Sequence, residues 1–320
     1  MITPYKLPES LSDAVRYFAD ADRAFAFMAQ LRWPNGARCV HCDADKPIFL
    51  KTRRIWKCRS CRKQFSVKVG TIFEDSALGL DKWLPALWLI ANCKNGVSSY
   101  EVARALKITQ KSAWFMLHRI RTAMRAKSFG GKWGGGEFEV DETFVGGKAG
   151  NMHPAKKERV LKAGHSAKSA IVGILRRGPN GTSRVRAAVT PKVTKPVLQK
   201  YVRQHLEAGS NVYTDAYLSY SGLHTDYRHD TIDHGVAYVR GKAHTQGLEN
   251  FWSLLKRAIK GTYVSVDPFH LGRYLDAQVF RFNLRKHNDG ERFIEVVKGI
   301  IGRKLTYKKL IGADLSSAPA

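Results

Sequence analysis

The chain has 320 residues, of which 54 are lysine or arginine and 27 are acidic, so its formal net charge is +27. A hydrophobic content of 44% supports a sizeable core and excludes a disordered chain. Five cysteines are too few for a disulfide scaffold of this length, and no apolar stretch is long enough to span a membrane. We therefore expect a cytoplasmic protein whose partner is nucleic acid and not a membrane.

The positive charge is concentrated in three runs. Residues 46–68 contain nine basic residues and no acid, and residues 102–136 contain eight basic residues and no acid. Residues 146–206 contain fourteen basic residues and one acid, Glu158. A generally solvated basic surface is the alternative for any single run. Three runs in different parts of the chain favour an extended surface that faces DNA.

A four-cysteine motif follows the predicted short helices of residues 10–31 and a turn at residues 34–36. The pairs Cys39/Cys42 and Cys58/Cys61 are fifteen residues apart, which is the spacing of a four-thiolate zinc site. Two reduced cysteine pairs in a core are the alternative. Short strands are predicted at residues 48–50 and 55–57, so we expect a zinc ribbon with a structural Zn²⁺ ion. Its expected DNA contacts are Arg53, Arg54, Lys57, Arg59, Arg62 and Lys63.

Residues 80–127 are predicted to be helical. A helix capped at Ser98-Ser99 ends near Leu106, and a turn at residues 107–109 leads into a second helix, Gln110–Met124. This is the outline of a helix-turn-helix whose second helix is available for a major groove, and an ordinary helical hairpin is the alternative. The expected DNA contacts are Lys111, Arg119, Arg121 and Arg125. The glycine-rich residues 130–136 are predicted to form a flexible joint between domains.

After this joint the pattern becomes mixed α/β. Strands are predicted at residues 138–145 and 211–217, and a hairpin joins strands 170–175 and 184–190 through Gly-Pro-Asn-Gly. Helices are predicted to begin at Thr194 and to span residues 245–260 and 268–286. This order indicates a mixed sheet with flanking helices. The tail from Ala313 is predicted to be disordered.

Four carboxylates crowd into six residues at the first of these strands: Glu137, Glu139, Asp141 and Glu142. Like charges repel, so a bound cation is the expected compensation. Alternation along the strand places Glu139, Asp141 and Thr143 on one face.

Two further acids, Asp215 at a strand end and Glu249 on the helix of residues 245–260, are expected to converge with Asp141. Such a set would bind two divalent ions for phosphoryl transfer. Lys256 and Lys260 share the helix side of Glu249 and are expected DNA contacts.

Three segments, Arg32–Cys39, Val140–Lys148 and His244–Arg257, resemble the ISXO-type insertion-sequence transposases of bacteria. The resemblance covers roughly residues 10–290. It implies an N-terminal zinc ribbon, a helical DNA-binding region and an RNase-H-like DDE domain. It also implies that Asp141, Asp215 and Glu249 are the catalytic acids, with Mg²⁺ or Mn²⁺ as cofactor. The chain differs from common family members at Gln246 and Asn250, where they have Asn and Gly.

The expected fold class is thus α/β, with an RNase-H-like mixed sheet preceded by a zinc ribbon and a helix-turn-helix-like region. The expected domains are 1–36 (helical), 37–70 (ribbon), 78–129 (DNA-binding), 136–290 (catalytic) and 291–320 (a helix and the tail).

The expected function is transposition: binding of the terminal inverted repeats, cleavage, and strand transfer into target DNA by a nucleoid-associated homodimer or higher oligomer. The alternatives are an RNase-H-like nuclease or resolvase, and a transposase-derived regulator that binds DNA without cutting it.

Overall fold

The computed structural model describes residues 8–125, 131–147, 158, 168–215, 218–232 and 244–313. These residues divide into two compact units, one from residues 1–125 together with 287–320 and the other from residues 126–286. None of the helices in the described ranges is long and apolar enough to cross a membrane. The tail predicted to be disordered lies, from residue 314 onward, outside the described residues.

The helices and strands are numbered in chain order. The helices are α1 (Leu11–Ala19), α2 (Ala21–Arg32), α3 (Leu80–Asn92), α4 (Ser99–Leu106), α5 (Gln110–Met124), α6 (Lys195–His205), α7 (Gln246–Ala258), α8 (Pro268–Asn283), α9 (Asp289–Lys298) and α10 (Tyr307–Leu310). The strands are β1 (Ile48–Leu50), β2 (Ile55–Lys57), β3 (Gln64–Ser66), β4 (Glu137–Val145), β5 (Ser169–Arg176), β6 (Arg184–Thr190), β7 (Asn211–Asp215) and β8 (Arg228–Ile232).

The small sheet of the first unit has the antiparallel order β1-β2-β3. Its core is aromatic: the buried ring of Trp56 stacks on Phe65 at 5.8 Å and on Phe25 of α2 at 5.2 Å between ring centroids. These contacts attach the ribbon to α2, because three-residue strands bury too little surface to be stable alone. The predicted strands of the ribbon are confirmed, and β3 is an additional one.

Helix α5 lies at the centre of the helical part of the first unit, where it contacts α3, α4, α9 and α10. The preceding α4 begins with a capping box, in which Ser98 and Glu101 exchange side-chain and backbone hydrogen bonds. Both helices and the turn between them therefore form as the sequence predicts.

The second unit is built on a mixed sheet with the strand order β6-β5-β4-β7-β8. Strands β6, β5 and β4 are antiparallel, and β4, β7 and β8 are parallel. The hairpin predicted around Gly-Pro-Asn-Gly joins β5 to β6. The edge strand β8 is an addition to the predicted set, and the last two residues of the predicted strand 211–217 lie outside the described ranges.

Helices cover both faces of this sheet. On one face Leu198 and Val202 of α6 pack on Phe138 and Val140 of β4. On the other face α7 and α8 form a second core with β5 and β6, whose central residues include Phe251. Burial of apolar side chains on both faces is what holds the carboxylate-bearing strand β4 at the middle of the sheet. The α/β fold class with an RNase-H-like mixed sheet and flanking helices is confirmed.

Candidate active site and four-cysteine cluster

The four cysteines of the ribbon converge as their spacing predicts. Their sulfur atoms all lie within 4.8 Å of one another, and the Sγ–Sγ distances are 3.6 Å for both Cys39–Cys61 and Cys42–Cys58. A tetrahedral zinc site with Zn–S bonds of about 2.3 Å has Sγ–Sγ edges of about 3.8 Å. Within the described ranges this is the one set of three or more metal-ligating side chains that meets so closely. The geometry fits a structural Zn²⁺ ion.

The turns of the ribbon also prepare the sulfur atoms for a cation. The backbone N–H of Cys61 points at Sγ of Cys58 with N and S 3.4 Å apart, and it is the largest of several contacts that together lower the pKa of the Cys58 thiol to about 6. The N–H of His41 approaches Sγ of Cys39 at the same distance. Backbone donors of this kind stabilise the thiolate, which is the form that binds zinc.

The six basic side chains predicted to contact DNA from the ribbon are all exposed: Arg53, Arg54, Lys57, Arg59, Arg62 and Lys63. One of them is engaged within the protein, since Nε of Arg54 lies 2.6 Å from Oδ1 of Asp22. The others present a cluster of positive charge on one small element. Such a cluster is suited to phosphate contacts, and the residue assignments remain predictions.

The structure corrects the interpretation of α5. Arg119 and Arg121 are 4% and 1% exposed, so neither guanidinium is available to DNA. Arg119 stacks on Phe115 and donates a hydrogen bond to the carbonyl of Leu305. Most of α5 is core, and among its predicted DNA contacts the described structure leaves Lys111 and the following Arg125 exposed.

Strand β4 presents its acids to two different faces, as alternation predicts. Asp141 lies on the face covered by α7, where Nε1 of Trp252 donates a 2.9 Å hydrogen bond to its Oδ2. Its Oδ1 accepts a second hydrogen bond from the backbone N–H of Glu142 at 2.8 Å. The side chain of Glu142 points the other way, and its Oε2 accepts a 2.6 Å hydrogen bond from the buried hydroxyl of Tyr220.

Two adjacent carboxylates of this site, Asp141 and Glu142, resist ionisation. Burial raises the pKa of Asp141 to about 7, and the neighbouring charges of Glu142 and Asp215 add to the rise. Burial also raises the pKa of Glu142, and Asp215 adds to that rise as well. Two neighbouring acids with raised pKa values in a chain of net charge +27 form a site that a cation would stabilise.

Asp215 is the last residue of β7, next to β4 in the sheet. The parallel register pairs Glu137 with Asn211 and Glu139 with Tyr213, and Asp141 and Asp215 each lie two residues beyond the last pair, on the same face of their strands. This agrees with the electrostatic influence of Asp215 on Asp141. The neighbouring strands β4 and β7 thus carry, near their carboxyl ends, the two aspartates that the sequence singled out.

Glu249 lies in the first turn of α7 and is exposed. It lines a cleft of about 430 Å³ together with Asp141. The other lining residues are Glu142, Thr143, Trp252, Ser253 and Lys256. Lys256 adds an exposed cation to the wall of the cleft, whereas Asp215 and Lys260 are not among its lining residues.

The donor set fits a divalent cation of the Mg²⁺ type. Carboxylate oxygens are the ligands that such hard cations prefer, and each oxygen of Asp141 accepts one described hydrogen bond, so lone pairs remain for a metal. The sequence interpretation missed two residues of this site, Trp252 and Tyr220. The position of Trp252, three residues after Glu249 and hence on the same side of the helix, was a signal for the first of them.

Comparison with known proteins agrees with this architecture. Residues 135–283 match the ISXO2-like transposase domain, and residues 19–64 match a transposase zinc-ribbon domain. The chain is 24% identical over 284 residues to an uncharacterized protein in transposable element ISH50 of Halobacterium salinarum, which covers 85% of this chain and 92% of that protein. It is 29% identical over 101 residues to an uncharacterized transposase-like protein of Haemophilus influenzae, which covers 31% of this chain and 81% of that protein.

No solved structure matches the chain. The two domain matches occur in the order in which the ribbon and the mixed sheet follow one another, and together they span more than half of the residues. Residues 135–283 thus form a domain of the ISXO2-like transposase type, and a transposase zinc-ribbon domain precedes it.

Proposed function

We propose that this protein is the transposase of a bacterial insertion sequence, and that it binds the terminal inverted repeats, cleaves there and transfers the strands to target DNA. The observation that carries the proposal is the cleft beside β4. Asp141 and Glu249 line it, and the charge of Asp215 acts on Asp141. All three acids fall within the residues that match the ISXO2-like transposase domain.

In this proposal Asp141, Asp215 and Glu249 hold two divalent cations, Mg²⁺ or Mn²⁺. When bound, these cations activate the attacking oxygen and stabilise charge on the departing one. The side chain of Glu142 accepts a hydrogen bond from Tyr220 on the other side of the strand, so we assign it no role in metal binding.

The reaction has two phosphoryl transfers. Water attacks a phosphodiester at the transposon end, the bond to the 3′ oxygen breaks, and a 3′ hydroxyl and a 5′ phosphate remain. The 3′ hydroxyl then attacks a phosphodiester of the target, so that one P–O bond forms while another breaks. No protein side chain becomes covalently attached to DNA.

The basic residues supply the binding energy for DNA. Lys256 on the wall of the cleft is placed to contact a phosphate next to the scissile bond, and Lys260 lies one turn further along the same chain segment. The exposed cations of the ribbon would hold DNA outside the reacting phosphate. A homodimer or higher oligomer is part of the proposal, because two transposon ends are processed together.

The test is incubation of the purified full-length chain with Mg²⁺, a target plasmid and DNA that carries the two ends flanking its own gene. We expect cuts that expose 3′ hydroxyls at both ends, followed by joined products. Asp141→Asn serves as the inactive control. Cleavage without joining supports a nuclease or resolvase instead, and binding without cleavage supports a regulator.

A further inference from the structure

Glu139 is a buried carboxylate that the proposed chemistry does not use. It lies on β4 two residues before Asp141, faces α7 and is 1% exposed. From the sequence alone Glu139 is a candidate metal ligand just as Asp141 is, because both residues lie on one face of the strand. A buried charge of this kind persists only when other groups compensate it.

Both oxygens of this carboxylate are bound by protein donors. Nε of Arg177 donates a 2.8 Å hydrogen bond to Oε1, and the backbone N–H of Leu248 donates a 2.9 Å hydrogen bond to Oε2. Arg177 also donates to the carbonyl of His244 at 2.6 Å. The ion pair therefore binds the chain just before α7 and the first turn of α7 itself.

Helix α7 depends on this carboxylate for its cap. Its N-cap residue, Thr245, accepts no capping hydrogen bond through its side chain. The N–H of Leu248, at the third position of the helix, is one of the donors that a helix leaves unsatisfied at its beginning. Glu139 satisfies it from a neighbouring strand, and its negative charge is favourable at the positive end of the helix.

Gly247 permits this approach. A Cβ at this position would lie 2.9 Å from Oε2 of Glu139 and 3.0 Å from Cδ1 of Leu175. Glycine is unfavourable inside a helix, so its use here is explained by the close contact between the first turn of α7 and the carboxylate.

We propose that Glu139 and Arg177 are positioning residues that fix the first turn of α7 and thereby the place of Glu249, the residue directly after Leu248. The inference rests on the proposed function in so far as it gives Glu249 a role in metal binding. Glu139 itself is not assigned as a ligand, because Arg177 already compensates its charge and because, unlike Asp141, it is 1% exposed and does not line the cleft. Residues that orient metal ligands in this way affect metal affinity without touching the metal.

The first experiment does not depend on DNA cleavage by the protein. Hydrogen exchange is measured on full-length Glu139→Gln and on the control Glu137→Gln. The control removes a charge that also faces Arg177, at 3.4 Å, from the first residue of the same strand. We expect the amides of residues 246–250 to exchange about tenfold faster in Glu139→Gln and to remain unchanged in Glu137→Gln. Equal protection of these amides in both variants overturns the inference.

The second experiment separates positioning from direct ligation. Cleavage of the end-bearing DNA is titrated with Mn²⁺. We expect Glu139→Gln to raise the half-saturating Mn²⁺ concentration by about tenfold and to recover most of the maximal rate at saturation. A loss of maximal rate that no Mn²⁺ concentration restores, as is expected for Asp141→Asn, would assign Glu139 to the ligands and overturn the inference.

A second variant covers the case in which Glu139→Gln does not fold. Gly247→Ala keeps every charge and displaces the first turn of α7 from Glu139, so we expect the same faster exchange and the same shift in Mn²⁺ dependence. Unchanged values in a folded Gly247→Ala protein count against the inference. If wild-type protein cleaves no DNA, the proposed function fails, and the exchange of residues 246–250 still decides whether Glu139 positions α7.

Discussion

The indole Nε1 of Trp252 donates a 2.9 Å hydrogen bond to Oδ2 of Asp141, which connects helix α7 directly to strand β4. The close approach depends on Gly173, which lies opposite Asp141 on β5. A Cβ on Gly173 would come within 2.7 Å of the indole ring. The helix that carries Glu249 and the strand that carries Asp141 are therefore held at one fixed distance by a packing contact and a polar one.

Trp252→Phe should shift the pH dependence of cleavage. The phenyl ring keeps most of the packing but lacks the donor that stabilises ionised Asp141, so the pKa of Asp141 rises further above its ordinary value. Loss of a hydrogen bond to a charged group corresponds to a shift of about one pH unit. We expect the acid limb of the cleavage profile, measured at fixed Mg²⁺ between about pH 6 and 9, to move upward by that amount.

The matched control for this variant is Trp83→Phe. The indole of Trp83 also donates a hydrogen bond, to Ser76 at 3.1 Å, but it lies in the other compact unit. The Trp83→Phe variant should leave the pH profile of cleavage unchanged. An unmoved profile in Trp252→Phe would mean that the indole N–H does not influence the ionisation of Asp141.

The raised pKa of Asp141 predicts how stability depends on pH. Folding raises the pKa of this residue from 3.8 to about 7, so the folded protein binds the proton more tightly than the unfolded chain. This stabilising contribution is complete below about pH 4 and is lost as the pH rises through about 7. At most, this contribution adds on the order of 2–4 kcal/mol to the free energy of unfolding.

Thermal unfolding of wild type and Asp141→Asn, without added divalent cations or chelators, measures this contribution. The neutral amide cannot lose a proton, so the stability of Asp141→Asn relative to wild type should increase between pH 5 and pH 8. Added Mg²⁺ should stabilise wild type more at pH 8 than at pH 5 and should have little effect on the variant. Parallel pH dependences for the two proteins would contradict the assignment of the raised pKa to Asp141.

Local patterns in the sequence predicted much of this architecture. The alternation in β4 placed Asp141 and Glu142 on opposite faces, the cysteine spacing predicted the four-sulfur cluster, and Gly-Pro-Asn-Gly predicted the β5–β6 hairpin. Each of these features depends on residues that are near one another in the chain, so periodicity and spacing are sufficient to detect it.

Contacts between distant residues were not predictable in the same way. Arg119 is buried because the carbonyl of Leu305, 186 residues later, accepts its hydrogen bond. Glu139 is bound by Arg177 and Leu248, which are 38 and 109 residues away. Strand β8 is polar and lies at the sheet edge, so it lacks the apolar alternation of a half-buried strand.

Removal of zinc should affect the ribbon and leave the mixed sheet folded. Cys58→Ser eliminates one of four thiolate ligands, and a sheet of three-residue strands has too little core to remain folded without the metal. We expect faster hydrogen exchange in residues 39–61, unchanged exchange in β4 and β5, and weaker DNA binding. Cys93→Ser, outside the cluster, is the control. A metal analysis that finds no zinc in protein purified without chelators would contradict the assignment.

The ribbon's exposed cations should determine part of the salt dependence of DNA binding. Each phosphate contact contributes about 0.9 to the slope of log affinity against log salt concentration. The double variant Arg59→Gln/Lys63→Gln should therefore reduce the slope by about 2, whereas Arg16→Gln on α1 should leave it unchanged. Binding isotherms between about 50 and 200 mM salt give the slopes. Equal slopes in all three proteins would remove these two residues from the DNA-contacting surface.

The three acids should be separable from DNA binding. Asp141→Asn, Asp215→Asn and Glu249→Gln each keep the shape of the side chain and remove a charge that is proposed to hold a divalent cation. We expect each variant to lose cleavage and strand transfer while it binds the transposon ends as tightly as wild type or slightly more tightly. Lys256→Ala, on the same helix as Glu249, should instead weaken end binding and retain cleavage at saturating protein. Glu249 is the decisive position, because it is exposed in the first turn of its helix, with the polar residues Gln246 and Asn250 beside it. Full strand transfer by Glu249→Gln, with Asp141→Asn inactive, would show that the third ligand is another residue, and Gln246 and Asn250 would be the next positions to change.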